Sequence, residues 1–392
     1  MSRRRACAAS VVLSLVVLAV AAAAFLGLRI PYRSQHGLRR LRELPPDPGD
    51  FAAIDLTRSD LRALNLRNEG ALLRAEASFD SLTAWPIEPW KKPVGFHPRA
   101  ILEEGKNPGL GVRELHKRGI TGKGIAIGII DQDLLLSHTE YNERLRLYEV
   151  VDGFGYPQMH GAVASIAAGK SVGVAPEADI YYLAIRMDHR KCRNVADAIG
   201  RILDINSTLP EDKRIRVVSI SCSWLPNEPG YQEADAAVLR AKAEGVFVLS
   251  SVVDRYYDFS YHGLGREPGR DPDEVSSYAP GAWWSKEYSI WYPLGEDSAR
   301  LLVPMDSRTM SSELGDDAYA FYRVGGWSWC VPYIAGVYAL ALQVDGDLTV
   351  NEFAKAAIDT ANYTSISLDG TETRLGPIIN PVGLIERLAS NE

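Results

Sequence analysis

Cysteine is scarce. The 392-residue chain has four. Cys7 lies in an apolar N-terminal segment, and Cys192, Cys222 and Cys330 remain, an odd number that implies no disulfide framework. A single bridge is compatible with the sequence but not established by it. Positive charge is in deficit too. Lys and Arg number 43 against 50 Asp and Glu, a net charge of −7, and a chain without a basic face makes no case for nucleic-acid binding. No self-similar repeat or low-complexity tract is present. No acidic cluster has the spacing of a calcium loop, so structural calcium stays unassigned. His189 and Cys192 lie close, but two potential ligands are not a metal site.

What is present is globular. Apolar residues make up 46% and charged residues 24%, enough for a sizeable core in one large or two ordinary domains. The N-terminus stands apart. Three arginines within Met1–Arg5 precede "ACAASVVLSLVVLAVAAAAFLGL", 23 residues without a charge. A secretory apolar region runs ~7–15 residues and a spanning helix about 20. Length therefore favours a membrane anchor over residues 1–30, while the small residues of "AVAAAA" keep a cleaved signal peptide open. Arginines flank the segment on both sides, and their count alone favours a cytoplasmic C-terminal part.

Residues 31–110 form an N-terminal extension or linker. "ELPPDPGD" is a Pro/Asp linker, and the leucines after it show no clean period. A small pro-segment, a strap over the main domain and a partly ordered linker all fit. From residue 111 to 392 the rhythm changes. Strand-length apolar runs at 124–131, 178–185, 215–223 and 246–252 alternate with helical stretches at 160–169, 195–205 and 233–245. Further apolar runs fall at 300–304 and 319–324, and helices at 332–343, 350–361 and 381–389. Residues 252–284 read as a long loop. Near-continuous apolar strands separated by helices predict an α/β fold, a doubly wound, mostly parallel sheet with helices on both faces.

In such sheets ligands bind beyond the carboxyl ends of the strands. Asp131 ends the first strand, Ser221 and Cys222 end the third, and Asp254 follows the fourth. His160 precedes a glycine and an Ala/Ser run that permits close helix packing. Ser328 follows Gly326 and opens an apolar helix. A serine, a histidine and an acid are the groups that nucleophilic acyl transfer requires. Taken singly, Asp131 also reads as a strand-end cap, His160 as a satisfied core histidine and Ser328 as an N-cap.

Five stretches carry a resemblance: "GIAIGIIDQDLLLSHTEY", "HGAVASIAAGKSVGVAPEADIYYLAI", "VVSISCSW", "GVFVLSS" and "GGWSWCVPYIAGVYALAL". In that order they resemble the subtilisin-like serine protease family (subtilases, or S8 peptidases) over roughly residues 111–390. The resemblance implies that Asp131, His160 and Ser328 are the catalytic triad, with Pro332 and Gly336 in matching places. It implies a serine endopeptidase acting on a protein or peptide through an acyl-enzyme, with no cofactor required for catalysis. It also implies an extracytoplasmic domain, secreted or membrane-anchored through the N-terminal apolar segment. Ser328 at a helix start has unpaired backbone N–H groups and a positive dipole end beside it. Pro332 is expected near the helix start, where its missing N–H costs little.

Three departures matter. Relatives read "HGTHVAG" or "HGTAVAS", whereas this chain reads "HGAVAS", one residue shorter, which in a helix turns the following face by ~100°. His138 does not take over, since its matching position is not catalytic. The oxyanion-hole asparagine falls on Asp254; either a neutral carboxylic acid donates there, or Asp254 is a plain loop residue and the donor lies elsewhere. The substrate-pairing "SLGG" becomes Ser221-Cys222-Ser223-Trp224, so that Trp224 either narrows the groove or packs under the 252–284 loop. Trp327 replaces a small residue beside Ser328. The alternative to an enzyme is a catalytically impaired pseudoprotease kept as a binding protein. A third reading takes "GITGKGIAIG" (119–128) as a nucleotide loop; against it, the glycines precede the strand, whereas a phosphate loop follows one and opens a helix, and no "GK[ST]" is present.

Overall fold

The computed structural model describes residues 37–46, 53–282, 284–285, 300–368 and 370–390. The N-terminal apolar segment and the end of the Pro/Asp linker lie outside them. The chain has a mixed α/β fold with a central sheet and flanking helices.

The extension contributes β1 (Ile54–Asp55), α1 (Gly70–Glu76), β2 (Ala77–Asp80) and α2 (Pro98–Glu104). Then come α3 (Val112–Lys117), β3 (Ala126–Asp131) and β4 (Leu145–Asp152). A 3₁₀ turn over Met159–Val163 leads into α4 (Ala164–Ala168). β5 (Asp179–Ile185), α5 (Lys191–Thr208), β6 (Ile215–Ile220), α6 (Tyr231–Ala243) and β7 (Phe247–Ser250) follow in strict alternation. Four further strands are β8 (Ser260–Arg266), β9 (Tyr278–Pro280), β10 (Arg300–Pro304) and β11 (Arg308–Ser311). The chain ends with β12 (Tyr319–Tyr322), α7 (Trp327–Val344), α8 (Val350–Asp359), β13 (Asn362–Leu368), β14 (Thr371–Ile378) and α9 (Pro381–Ala389).

The central sheet has the order β4-β5-β3-β6-β7, and every pair in it is parallel. β3 is buried at all six positions, as a strand covered on both faces must be. α5 and α6 pack on each other and on the sheet; α7 packs on the sheet through β6 and β3, and α4 packs on α7. α7 is apolar nearly throughout because it runs through the core, buried from Trp329 to Leu342. It has the length and composition to cross a membrane, but the core already covers its apolar surface.

The long stretch after Val252 is not all loop. It holds β8 and β9, and β8 pairs in parallel with β10. Its sequence, "SYHGLGR", hides a strand. Two glycines and an arginine interrupt the apolar pattern, and each has a packing reason. A side chain on Gly263 would meet Met305 Sδ at 2.2 Å. Buried Arg266 is neutralised by Glu104 and donates to the Ser307 carbonyl.

Residues 54–104 join the main body through one mixed sheet, ordered β11-β12-β2-β1. β2 pairs with β12, Phe79 opposite Phe321. Ile54, Leu56, Leu61, Leu66, Leu73 and Phe79 form a second apolar cluster that Phe321 completes. The aperiodic leucines therefore find their partner more than 200 residues downstream.

Candidate active site

β3 carries Asp131 to the carboxyl edge of the central sheet, where its side chain is fully buried. Oδ1 accepts hydrogen bonds from the Gln132 backbone N–H (2.7 Å) and from His160 Nδ1 (2.9 Å). The His160 ring is about one-quarter exposed. The Asp131 carboxylate beside it raises the imidazole above its ordinary 6.5, against the opposing effect of burial. With Nδ1 held by the acid, the neutral ring carries its proton there and presents Nε2 as a base.

The shortened stretch after Gly161 falls in a tighter turn. His160 sits in the 3₁₀ turn, not in the α-helix. A 3₁₀ turn advances ~120° per residue against ~100° in an α-helix. Between His160 and α4 lie Gly161, Ala162 and Val163, over which the excess is about 60°, part of the rotation that one α-helical residue supplies. Gly161 lets this turn lie against the strand end, since a Cβ there would meet the Asp133 carbonyl at 2.4 Å.

Asp133 is the residue that sequence reasoning missed. It is buried, and its carboxylate accepts from Phe154 N–H (2.7 Å) and Gly155 N–H (3.3 Å). Its own carbonyl accepts from Gln158 N–H (2.9 Å). These bonds fix the loop that delivers His160. The only sequence signal was a second acid two residues after Asp131, just past the strand end.

Ser328 is the second residue of α7, following the extended N-cap Gly326. Its hydroxyl donates to the Ser221 carbonyl at 3.2 Å. Among the described residues, no hydrogen bond joins it to His160. The structure thus brings Asp131 to His160, and Ser328 to Ser221. Pro332 is inside α7, not at its start. As the sixth helical residue it lacks the N–H that would bond the Ser328 carbonyl. Gly336 is where α7 crosses α4, and a Cβ there would meet Val174 Cβ at 2.6 Å.

Ser221, Cys222 and Ser223 extend beyond β6. Ser221 is buried, the other two are half-buried, and the Cys222 carbonyl accepts from Ser251 N–H (3.2 Å). Trp224 does not enter a groove. It is fully buried, its Nε1 donates to Tyr256 Oη (2.8 Å), and Arg255 Nη1 bonds its carbonyl (2.6 Å). Trp224 thus packs under the start of the 252–284 stretch. Asp254 is exposed on a 3₁₀ turn after β7, and among the described residues its carboxylate accepts no hydrogen bond. His138 is fully buried, with Nε2 on the Ala318 carbonyl (2.8 Å) and Nδ1 accepting from Glu140 N–H (3.1 Å). It is a structural histidine. Cys192, Cys222 and Cys330 are free thiols.

A family model described as the subtilase family matches residues 122–285, a span that includes Asp131, His160 and Asp254 and stops short of Ser328. The subtilisin-like protease PopC of Myxococcus xanthus (strain DK1622) is 28% identical over 287 residues. The family match places residues 122–285 in the subtilase family. The likeness to PopC takes in 64% of this chain and 58% of the relative, so this chain spans under two thirds of the relative's length. Two solved structures share the fold at 14% identity and a TM-score of 0.50. One concerns assembly of the subtilase cytotoxin SubAB, covering 72% of this chain and 96% of that one. The other is the A-subunit of the AB5 toxin from E. coli, covering 72% and 98%.

Proposed function

We propose that this subtilase is a serine endopeptidase that hydrolyses protein or peptide substrates through an acyl-enzyme. The observation that carries the reading is the 2.9 Å bond from buried Asp131 to His160, with Ser328 at the N-terminus of α7 beside the same sheet edge. Family membership supports a protease-like activity. Ser328 turns from the Ser221 carbonyl toward His160 Nε2, a side-chain rotation within the ordinary staggered set. His160 takes its proton as Ser328 attacks the carbonyl, then delivers it to the leaving amine. Asp131 holds the tautomer and stabilises the imidazolium. Backbone N–H groups in the first turn of α7 receive the oxyanion. The exposure of Asp254 supports the plain-loop reading, with the donor supplied elsewhere. Ser221, Cys222 and Ser223 form the edge that pairs with substrate backbone, as an added strand does.

The wider readings follow from the same assignment. Residues 111–392 form the peptidase domain, with a doubly wound sheet; the packing of α5, α6 and α7 on it supports that topology. Residues 31–110 are its strap, which the β2–β12 pairing supports. Residues 1–30 anchor or export the chain, and the domain works outside the cytoplasm, on membrane or free. Nothing in the proposed steps calls for a cofactor.

One observation favours a second reading. Ser328 hydroxyl is bonded to Ser221, not to His160, as a binding protein on a retired protease fold would allow. A serine-reactive fluorophosphonate probe separates the two. The enzyme labels at Ser328 and the Ser328→Ala variant does not; a folded chain that never labels is the binding protein.

A further inference from the structure

The loop before Ser328 is held at Gly325 by a carboxylate that belongs to no triad. We propose that Asp306 is a positioning residue for Ser328, gripping the loop Arg323–Gly326 from which the nucleophile helix starts. The proposal rests on Ser328 being the nucleophile.

Asp306 follows β10 and is buried. Its two oxygens serve two different loops. Oδ1 accepts from Gly325 N–H at 2.7 Å and Oδ2 from Ala282 N–H at 2.8 Å. Asp306 is itself fixed, because Met305 N–H and Asp306 N–H both bond the Leu264 carbonyl of β8 (3.0 and 3.1 Å). The gripped loop has no slack. Ser307 N–H bonds the Arg323 carbonyl at 3.1 Å. A Cβ on Gly325 would meet the Met305 carbonyl at 2.5 Å. Gly326, the N-cap of α7, comes next, and Ser328 two residues later.

A carboxylate suits this place and an amide does not. Each N–H needs an acceptor, and a carboxylate offers one on each oxygen. An asparagine accepts at one atom only and turns its NH₂ toward the other N–H. One buried donor then goes unsatisfied and one side of the grip opens.

The charged and titratable surroundings are mixed. Arg323 is the cation that favours the Asp306 carboxylate. Cys330 of α7 faces it, its thiol pushed up by burial first and by the Asp306 charge second. Asp306 also forms part of the wall of a cleft of about 610 Å³ that Glu76, Arg266, Glu267, Arg270 and Arg323 help to line. Arg266 is taken by Glu104 and backbone carbonyls. Burial is the dominant influence and raises Asp306 from 3.8 to about 6. Lying above the ordinary value, its ionisation disfavours the fold as pH rises from 3.8 through about 6, so Asp306→Asn removes that penalty while it leaves one buried N–H unpaired. The ionised form is the one that holds both loops.

The experiment uses the full chain and Asp306→Asn, with two readouts. Amide hydrogen exchange at Ala282 and Gly325 reads the grip. The rate and half-saturating concentration of fluorophosphonate labelling at Ser328, followed from pH 5 to 8, read the consequence. Expected are faster exchange at both amides, labelling slowed ~10–100-fold and an unchanged half-saturating concentration. Below pH 6 the wild-type rate falls faster than one decade per pH unit, since His160 and Asp306 both protonate, whereas the variant falls by one decade. Unchanged exchange overturns the grip. Faster exchange with unchanged labelling overturns its role in placing Ser328. A wild-type chain that never labels overturns the protease reading and with it that role, while exchange still decides whether Asp306 holds the loop.

Discussion

Asp131 and His160, 29 residues apart in the chain, share a 2.9 Å hydrogen bond through Oδ1, while the buried Oδ2 of the same carboxylate has no partner among the described residues. The attraction between the two groups fixes the pH behaviour of the site. His160 lies above its ordinary 6.5, because of the Asp131 charge first. The imidazolium–carboxylate pair therefore stabilises the fold fully below pH 6.5, and that contribution is lost as pH rises through the raised value. Activity runs the other way, since a general base must be neutral. The expected kcat/KM climbs with pH through a midpoint above 6.5. In Asp131→Asn the attraction is gone and burial remains, so the midpoint moves down and kcat falls roughly 10⁴-fold. A pH–rate profile with the same midpoint in both proteins would contradict this.

Gly161 is where the His160 turn touches the strand end. Gly161→Ala puts a methyl 2.4 Å from the Asp133 carbonyl oxygen, and backbone has nowhere to go. The turn must shift. A displacement of ~1 Å at a catalytic group costs about 10²-fold in rate, with a smaller loss of melting temperature. Retained kcat in Gly161→Ala would mean that the 3₁₀ turn is not what aims His160.

The strap is expected to be integral to the domain. Phe79 is buried against Trp85, Phe96 and Phe321, with ring centroids 5.3–5.6 Å away. Arg323 N–H bonds Ser78 Oγ (3.0 Å), and Arg323 Nε the Ala75 carbonyl (2.5 Å), at the start of the loop to Ser328. Phe79→Ala is expected to cost ~3–5 kcal/mol of stability, measured by urea unfolding of the whole chain in one transition. A cost under about 1 kcal/mol would show a loosely attached appendage.

The parts that were legible in the sequence are those whose cause is local. β3, β5, β6 and β7 are continuous apolar runs because both faces are covered, and Asp131 marks the end of the first. Less legible was β4, "LRLYEVVD", whose positions are all half-buried or exposed, as an edge strand's are, so no apolar run announces it. The hairpin of β13 and β14 is rich in Ser and Thr along its exposed part. The leucines of the strap have no period because their order is set by Phe321, far away in sequence. At the site, residue types and chain order pointed to Asp131, His160 and Ser328. The direction of the Ser328 hydroxyl, the burial of Trp224 and the hold of Asp133 depend on contacts between distant segments, which spacing does not encode.

Asp254 offers a sharp test of the oxyanion side. As an exposed residue on its turn, it is expected to contribute little, so Asp254→Ala changes kcat less than about threefold. A loss of ~10²–10³-fold, the cost of removing one oxyanion donor, would assign that role to its carboxyl.

The central claim is that Ser328 is a nucleophile activated by His160. The direct measurement is fluorophosphonate labelling of the folded chain at pH 8, with the modified residue located by peptide mass. The account predicts a single adduct on Ser328, abolished in Ser328→Ala and slowed by several orders of magnitude in His160→Ala. A folded chain that takes no label, or one that labels equally well without His160, would contradict it.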